Sequence, residues 1–183
     1  MTDRRLADDR GSAVHVLDTP IGPLTIVVSD GAVRAVRFAR ADGTADLPDR
    51  GDDAVTAGLD RPGDPVLAVA VAQLREYFAG DRRRFDLPLA PDGTEFQRRC
   101  WDALVTLPYG ETISYRDQAA RLGAPTAVRA VGAANGRNPI PVIVPCHRVI
   151  GSDGRLTGFG GGLPAKAWLL DHERRAAGLQ LPL

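Results

Sequence analysis

Ser114-Tyr115-Arg116-Asp117-Gln118-Ala119-Ala120-Arg121-Leu122-Gly123-Ala124-Pro125-Thr126-Ala127-Val128-Arg129-Ala130-Val131-Gly132-Ala133-Ala134-Asn135-Gly136 decides the fold of the second half of this chain. Ser114 suits an N-cap, where a side-chain oxygen accepts from an otherwise orphaned backbone N–H, and it opens a short helix to about Leu122. Gly123-Ala124-Pro125 turns the chain, and a second helix runs from about Thr126 to Gly136. Two short helices across a tight glycine-containing turn are the outline of a helix-turn-helix. The second helix carries Arg129 near its start, among alanines and Gly132. Side chains that small let a helix come very close to another surface, and they equally suit tight packing on another helix.

Directly downstream, Asn138-Pro139-Ile140-Pro141-Val142-Ile143-Val144-Pro145-Cys146-His147-Arg148-Val149-Ile150 leads an apolar run to a cysteine set between a proline and a His-Arg pair. Prolines fix the backbone, which lowers the entropy lost in presenting a thiol at one place. A free thiol ionises near pH ~8.5, and adjacent positive charge or a hydrogen-bonded imidazole lowers that value. The thiolate is the nucleophile for acyl and alkyl transfer alike. Cys146 is therefore the candidate reagent, expected with a lowered pKa, although a Cys-His pair by itself is more often structural. Upstream, Thr94 is a plausible N-cap for a helix whose Phe96, Cys100, Leu104 and Leu107 share one face, with Cys100 as a small buried hydrophobe. Pro108-Tyr109-Gly110 breaks that helix.

Before Pro91-Asp92-Gly93 the character differs. Ala13 to Ala39 reads as short strands, with Ile21-Gly22-Pro23 and Ser29-Asp30-Gly31 as turns, so the strands pair antiparallel as a meander. The stretch 41–65 is rich in Asp, Gly and Pro and reads as a long loop or partly disordered. A helix resumes at Val66, with Leu67, Val71, Leu74 and Phe78 at the spacing of a buried face, and Gly80 ends it. Arg82 to Pro91 reads as one extended segment leading into a linker. This half reads as a scaffold without catalytic machinery. The expected architecture is α+β in two domains, 1–90 and 91–183.

With 183 residues, 44% of them hydrophobic, the chain can bury a real core. Formal net charge is zero, but its distribution is uneven. Residues 1–97 carry 12 basic and 17 acidic side chains, net −5, and residues 98–183 carry 11 and 6, net +5. A polyanion would be drawn to the second half, although two solvated surfaces of differing sign give the same count. The start lacks a signal-peptide run and no stretch approaches membrane-spanning length, which argues for the cytoplasm and against a membrane partner. Two cysteines are too few for a disulfide framework, and with three histidines and no C-x-x-C no metal site or cofactor is expected.

Pro145-Cys146-His147-Arg148-Val149-Ile150, then Gly154-Arg155-Leu156-Thr157-Gly158-Phe159-Gly160-Gly161-Gly162 and Lys166-Ala167-Trp168-Leu169-Leu170-Asp171-His172-Glu173, resemble the O6-alkylguanine-DNA alkyltransferases. The match extends through Phe96-Gln97, Trp101, Pro108-Tyr109-Gly110-Glu111-Thr112, Ser114-Tyr115, Arg129-Ala130-Val131-Gly132 and Asn135-Gly136-Arg137-Asn138-Pro139, and covers about 93–173. The first half agrees more loosely, through Thr19-Pro20-Ile21-Gly22-Pro23-Leu24 and Gln73-Leu74-Arg75-Glu76-Tyr77-Phe78-Ala79-Gly80. The resemblance implies an N-terminal ribonuclease-H-like α/β domain and a C-terminal winged-helix-like domain containing the helix-turn-helix.

It further implies a role for each matching residue. Cys146 would be the acceptor, and His147, bridged to it by water and paired with Glu173, would take the thiol proton. Tyr115 would donate to a guanine ring nitrogen, and Asn138 would pin the turn between recognition helix and reactive loop. Backbone groups of Val149 and Cys146 would read the guanine amino edge. Arg129 would fill the space left by an extruded nucleotide, with Ala130, Gly132 and Ala133 on the helix face that enters the minor groove of double-stranded DNA. Arg116, Arg121, Arg137 and Arg148 are phosphate-contact candidates, and Phe159, Gly160 and Gly161 belong to the loop that would line the pocket. Flipping is required because the O6 alkyl carbon lies within the stack, where a protein sulfur cannot attack in line. The thioether product is stable, so each molecule would act once. O4-alkylthymine stays open as a second substrate. The protein is expected to be a monomer in solution, with cooperative assembly on DNA left open.

The zinc cysteines of some family members and the extra N-terminal zinc module of others are absent, and Phe159 stands where tyrosine is frequent. Two other readings compete. Non-catalytic lesion sensors share the fold but replace the acceptor cysteine, and a cysteine hydrolase would need an oxyanion hole that no motif here supplies.

Overall fold

The computed structural model describes residues 12–40, 43, 46 and 64–178. Nearly all of the expected 41–65 loop, and the leader and extreme C-terminus, lie outside the described residues. Three strands, β1 (Ala13–Leu17), β2 (Leu24–Ser29) and β3 (Ala32–Phe38), form an antiparallel sheet in the order β1-β2-β3. The β2–β3 connection is Asp30-Gly31, with φ of 52° and 71°. Two left-handed residues make the turn whose twist matches a right-twisted hairpin, which is why an Asp-Gly pair sits there. A bulge at Val27/Val28 shifts the register along β2. The expected extended segment runs beside β3: Val33 N–H donates to Pro88 O (2.8 Å), and Ala90 N–H to Val33 O (3.0 Å).

Helix α1 (Pro65–Ala79) is capped by Asp64, whose carboxylate accepts from Val66 and Leu67 N–H, and it ends at Gly80 with φ 87°. Its Leu67, Ala70, Val71 and Leu74 pack with Leu24, Ile26, Val28, Val33 and Val36 of the sheet in one buried cluster. The expected face is corrected at its last turn, where Tyr77 rather than Phe78 is fully buried. Tyr77 can go inside because its hydroxyl finds a buried carboxylate, Glu173 Oε1, at 2.7 Å.

In the second half, α2 (Glu95–Val105) starts with a capping box between Thr94 and Gln97, an N-cap interaction worth about 1 kcal/mol. Its Cys100, Trp101 and Leu104 are buried, and the Trp101 indole donates to Ala134 O at 2.9 Å. After β4 (Ile113–Ser114) come α3 (Tyr115–Arg121), capped by Ser114, and α4 (Val128–Gly136). Gln118 and Asn135 join these helices through a buried amide pair (2.7 and 3.3 Å), and Gln118 also donates to Cys100 O. A single 3-10 turn, Cys146–Arg148, leads into β5 (Val149–Ile150), which pairs parallel with β4. The last helix is α5 (Gly162–Ala176).

Candidate active site

Backbone geometry brings Cys146 to one place. Asn138 Nδ2 donates to Val144 O (2.8 Å), and its Oδ1 accepts from Ile140 N–H (3.0 Å), closing the loop from α4 across to the reactive turn. Val142, in that loop, is buried and has φ 74°. A β-branched residue in the left-handed region costs of order 1–3 kcal/mol, held here by surrounding structure. Cys146 N–H donates to Val144 O at 2.8 Å, and the β4–β5 pair ties the far side of the turn to the start of α3.

The Cys146 thiol is not the activated group its sequence neighbours suggest. Burial pushes its pKa up, opposed by a hydrogen bond from Asn138 and by the Lys166 charge. The expectation of a lowered pKa fails because the two positive candidates beside it face elsewhere. His147 Nε2 lies 2.8 Å from Glu173 Oε1, and Arg148 is engaged by the same carboxylate. At rest the thiol is therefore protonated.

Glu173 is the hub of this buried network. Arg148 Nε donates to its Oε2 (2.8 Å) and Nη2 to its Oε1 (2.9 Å), Gly110 N–H donates to Oε2 (3.0 Å), and Tyr77 O–H to Oε1. Burial alone would raise its carboxyl pKa, but hydrogen bonds and charge from His147 and Arg148 outweigh it and hold the group ionised. An ionised carboxylate at 2.8 Å fixes the imidazole tautomer, with the proton on Nε2 and a lone pair on Nδ1. Burial pushes the His147 pKa down despite Glu173, so the ring is neutral. Nδ1 is a buried acceptor with no hydrogen-bond partner among the described residues. Tyr77 is raised well above its ordinary range by burial and Glu173, so it is a permanent donor.

Arg148 must be removed from the phosphate-contact candidates. It is buried, two of its nitrogens are taken by Glu173, and Nη1 donates to Leu107 O at 2.7 Å. Its charge neutralises Glu173 instead of facing a polyanion. The first half is also more than a scaffold, since Tyr77 on α1 donates to the buried Glu173 carboxylate.

Sequence reasoning also passed over Lys166. It is fully buried on α5, with Nζ donating to Val149 O (2.6 Å) and Thr157 O (2.7 Å) and lying 5.9 Å from the Tyr115 ring centre. Burial lowers its pKa, and the Cys146 charge opposes that fall. A signal existed: Lys166 is the only lysine in a chain whose other basic residues are all arginine. At a buried point-charge site, a compact ammonium is not interchangeable with a planar guanidinium.

Cys146 opens on a cavity of about 420 Å³, shared with Asn138, Pro139, Pro141 and Gly160 and, from the first half, with Arg37, Phe38 and Asp46. Of the other expected pocket residues, Phe159 sits edge-on to Phe38 (5.2 Å) and His147 (6.3 Å), and Gly161 packs under Phe38. Val149 is buried in β5, its carbonyl already accepting from Lys166.

Helix α4 buries Val131, Ala134 and Asn135 and leaves Arg129, Ala130 and Ala133 exposed, with Gly132 half-buried against the Tyr115 ring and the exposed Arg137 capping its C-terminal end. Neither Arg129 nor Arg137 has an ion-pair partner among the described residues. The exposed face is thus two arginines flanking a nearly flat strip.

Residues 13–91 match the family model described as 6-O-methylguanine DNA methyltransferase, ribonuclease-like domain, and residues 95–175 match its DNA binding domain. A methylated-DNA–protein-cysteine methyltransferase of Mycolicibacterium paratuberculosis is 49% identical over 169 residues, covering 92% of this chain and 96% of that one. The constitutive methylated-DNA–protein-cysteine methyltransferase of Bacillus subtilis is 44% identical over 158 residues, covering 86% and 92%. Among solved structures, O6-methylguanine methyltransferase of Mycobacterium tuberculosis superposes with a TM-score of 0.75 at 45% identity, covering 90% of this chain and 94% of that one. An OGT of the same organism in complex with DNA superposes with 0.72, also at 45% identity, covering 90% and 94%.

Proposed function

The chain belongs to the 6-O-methylguanine DNA methyltransferase family, and we propose that it repairs O6-alkylguanine in DNA by moving the alkyl group irreversibly to Cys146. Its architecture is the family's: a ribonuclease-like domain carrying the antiparallel sheet, then a helical DNA-binding domain. The observation that carries the proposal is the pairing of a thiol that opens on a cavity with an adjacent neutral imidazole locked by a buried carboxylate.

In the reaction, the Cys146 thiol proton passes through a water to His147 Nδ1, whose Nε2–H stays with Glu173. The thiolate attacks the alkyl carbon in line with the C–O6 bond, forming S–C as O6–C breaks. The bonding pair leaves into the guanine ring, which Tyr115 O–H protonates at a ring nitrogen. The proton held by His147 then returns through the solvent to the tyrosinate. The thiol proton has in effect moved to guanine, and the thioether remains. Lys166 supports the thiolate as it forms, because a buried cation is worth most where water is excluded.

The partner is double-stranded DNA. The flat face of α4 suits close approach in the minor groove, with Arg129 filling the gap left by the flipped nucleotide, and Arg137, Arg116 and Arg121 on phosphates. The protein acts as a monomer, with any clustering on DNA secondary to that contact. The test is a titration of protein against excess duplex carrying O6-methylguanine. Restored guanine that plateaus at the amount of protein supports transfer; continued turnover, or binding without restoration, contradicts it.

A further inference from the structure

We propose that Phe38, at the end of β3 in the N-terminal domain, forms a wall of the site that receives the alkyl group and favours large apolar groups over methyl. The inference rests on Cys146 being the acceptor. Phe38 and Cys146 line the same cavity, where Val36, Pro139, Pro141 and Gly160 add apolar surface and Arg37, Asp46 and Asn138 add polar groups. The ring is held there from three sides. It stands edge-on to Phe159, it lies over Gly160 and Gly161, and β3 is tethered to the reactive loop by Val36 N–H donating to Pro139 O at 2.8 Å.

Gly161 shows how closely the two are fitted. A Cβ there would stand 2.6 Å from Phe38 Cε1, whereas its backbone, at φ −85°, is one any residue can adopt. The absence of a side chain at Gly161 therefore serves the ring, not the turn. The cavity, at about 420 Å³, is many times the ~30 Å³ share of a small group such as water, so Phe38 lines it without plugging it. A methyl on O6 ends beside the sulfur and gains little from that wall. A benzyl group extends into the cavity and can meet the Phe38 ring in the offset or edge-on geometry that aromatic pairs prefer.

The test measures transfer rates for O6-methylguanine and O6-benzylguanine in the same duplex, using the full chain and the variants Phe38→Ala, Phe38→Leu and Gly161→Ala. Loss of the ring contact should slow benzyl transfer about tenfold in Phe38→Ala while methyl transfer stays within about twofold, with Phe38→Leu between. Gly161→Ala, by displacing the ring, should lower the benzyl-to-methyl ratio in the wild-type background and change it little once Phe38 is alanine. Equal losses on both substrates would reduce Phe38 to a domain fastener, and faster benzyl transfer would make it an obstruction; either overturns the proposal. If thermal unfolding shows Phe38→Ala to be unfolded, the ratio in Phe38→Leu decides alone. Failure of the wild type to acquire methyl on Cys146 would instead overturn the reading beneath it.

Discussion

Replacing Glu173 with glutamine keeps the side chain's shape and removes its charge, at a point where five donors meet two oxygens. His147, Tyr77 and one Arg148 nitrogen face Oε1, and Gly110 and the other Arg148 nitrogen face Oε2. Whichever way the amide turns, its NH2 confronts N–H or O–H groups, and Arg148 becomes a buried charge without a counter-ion. Breaking a buried pair in this way costs about 3–5 kcal/mol. That is a large part of the 5–15 kcal/mol that typically holds a domain together. Urea unfolding at neutral pH should show the loss as a lower midpoint with an unchanged slope. The slope with pH should change too. Glu173 has a depressed pKa in the fold, so its contribution is complete above the usual carboxylate range of ~4.3 and is lost as pH falls through that range toward the folded value. Glu173→Gln should flatten that acid limb. A variant within about 1 kcal/mol of wild type, with the same acid limb, would refute the hub.

Tyr77→Phe removes one hydrogen bond to the ionised carboxylate and should cost about 1.5–3 kcal/mol in the same unfolding measurement; no change would show that the Tyr77–Glu173 contact carries no weight. Because the His147 pKa is also depressed, wild-type stability should start to fall as pH drops below ~6.5, the unfolded imidazole value, and His147→Gln should delay that fall. Arg137→Ala should lower the slope of log affinity for duplex against log salt by about 0.9, the share of one phosphate contact, with unfolding unchanged; an unaltered slope removes Arg137 from the DNA surface. Arg129→Ala should slow repair in duplex DNA much more than reaction with free O6-benzylguanine, and equal losses would deny it the finger role.

What could be read from the sequence was local. The Asp30-Gly31 turn, the Thr94 and Ser114 caps and the two short helices all rest on contacts within a few residues, and the structure has them. The reactive stretch was legible as a motif, and Asn138, Cys146 and His147 do come together around one turn. The errors share a physical cause, which is that a side chain's partner can lie a hundred residues away. Phe78 looked like the more apolar choice for the core until Glu173, 96 residues on, gave the Tyr77 hydroxyl a place. Arg148 looked like a surface cation because nothing in its neighbourhood announces a buried carboxylate 25 residues later. Phe38 looked like the end of a scaffold strand, and only the folded chain sets it against Phe159 and Gly161. The direction of the Cys146 pKa was hidden for a related reason, because adjacency to His147 does not say where the imidazole points.

The assignment of Cys146 as acceptor is tested most directly by where the alkyl group ends. Intact-protein and peptide mass spectrometry after mixing the protein with a duplex holding a single O6-methylguanine would locate it. One added methyl is expected, on Cys146 alone, with guanine restored in the DNA and no modification in Cys146→Ala, which should still bind the lesion. An unmodified protein that retains the duplex, or methyl found on another residue such as Cys100, would contradict it.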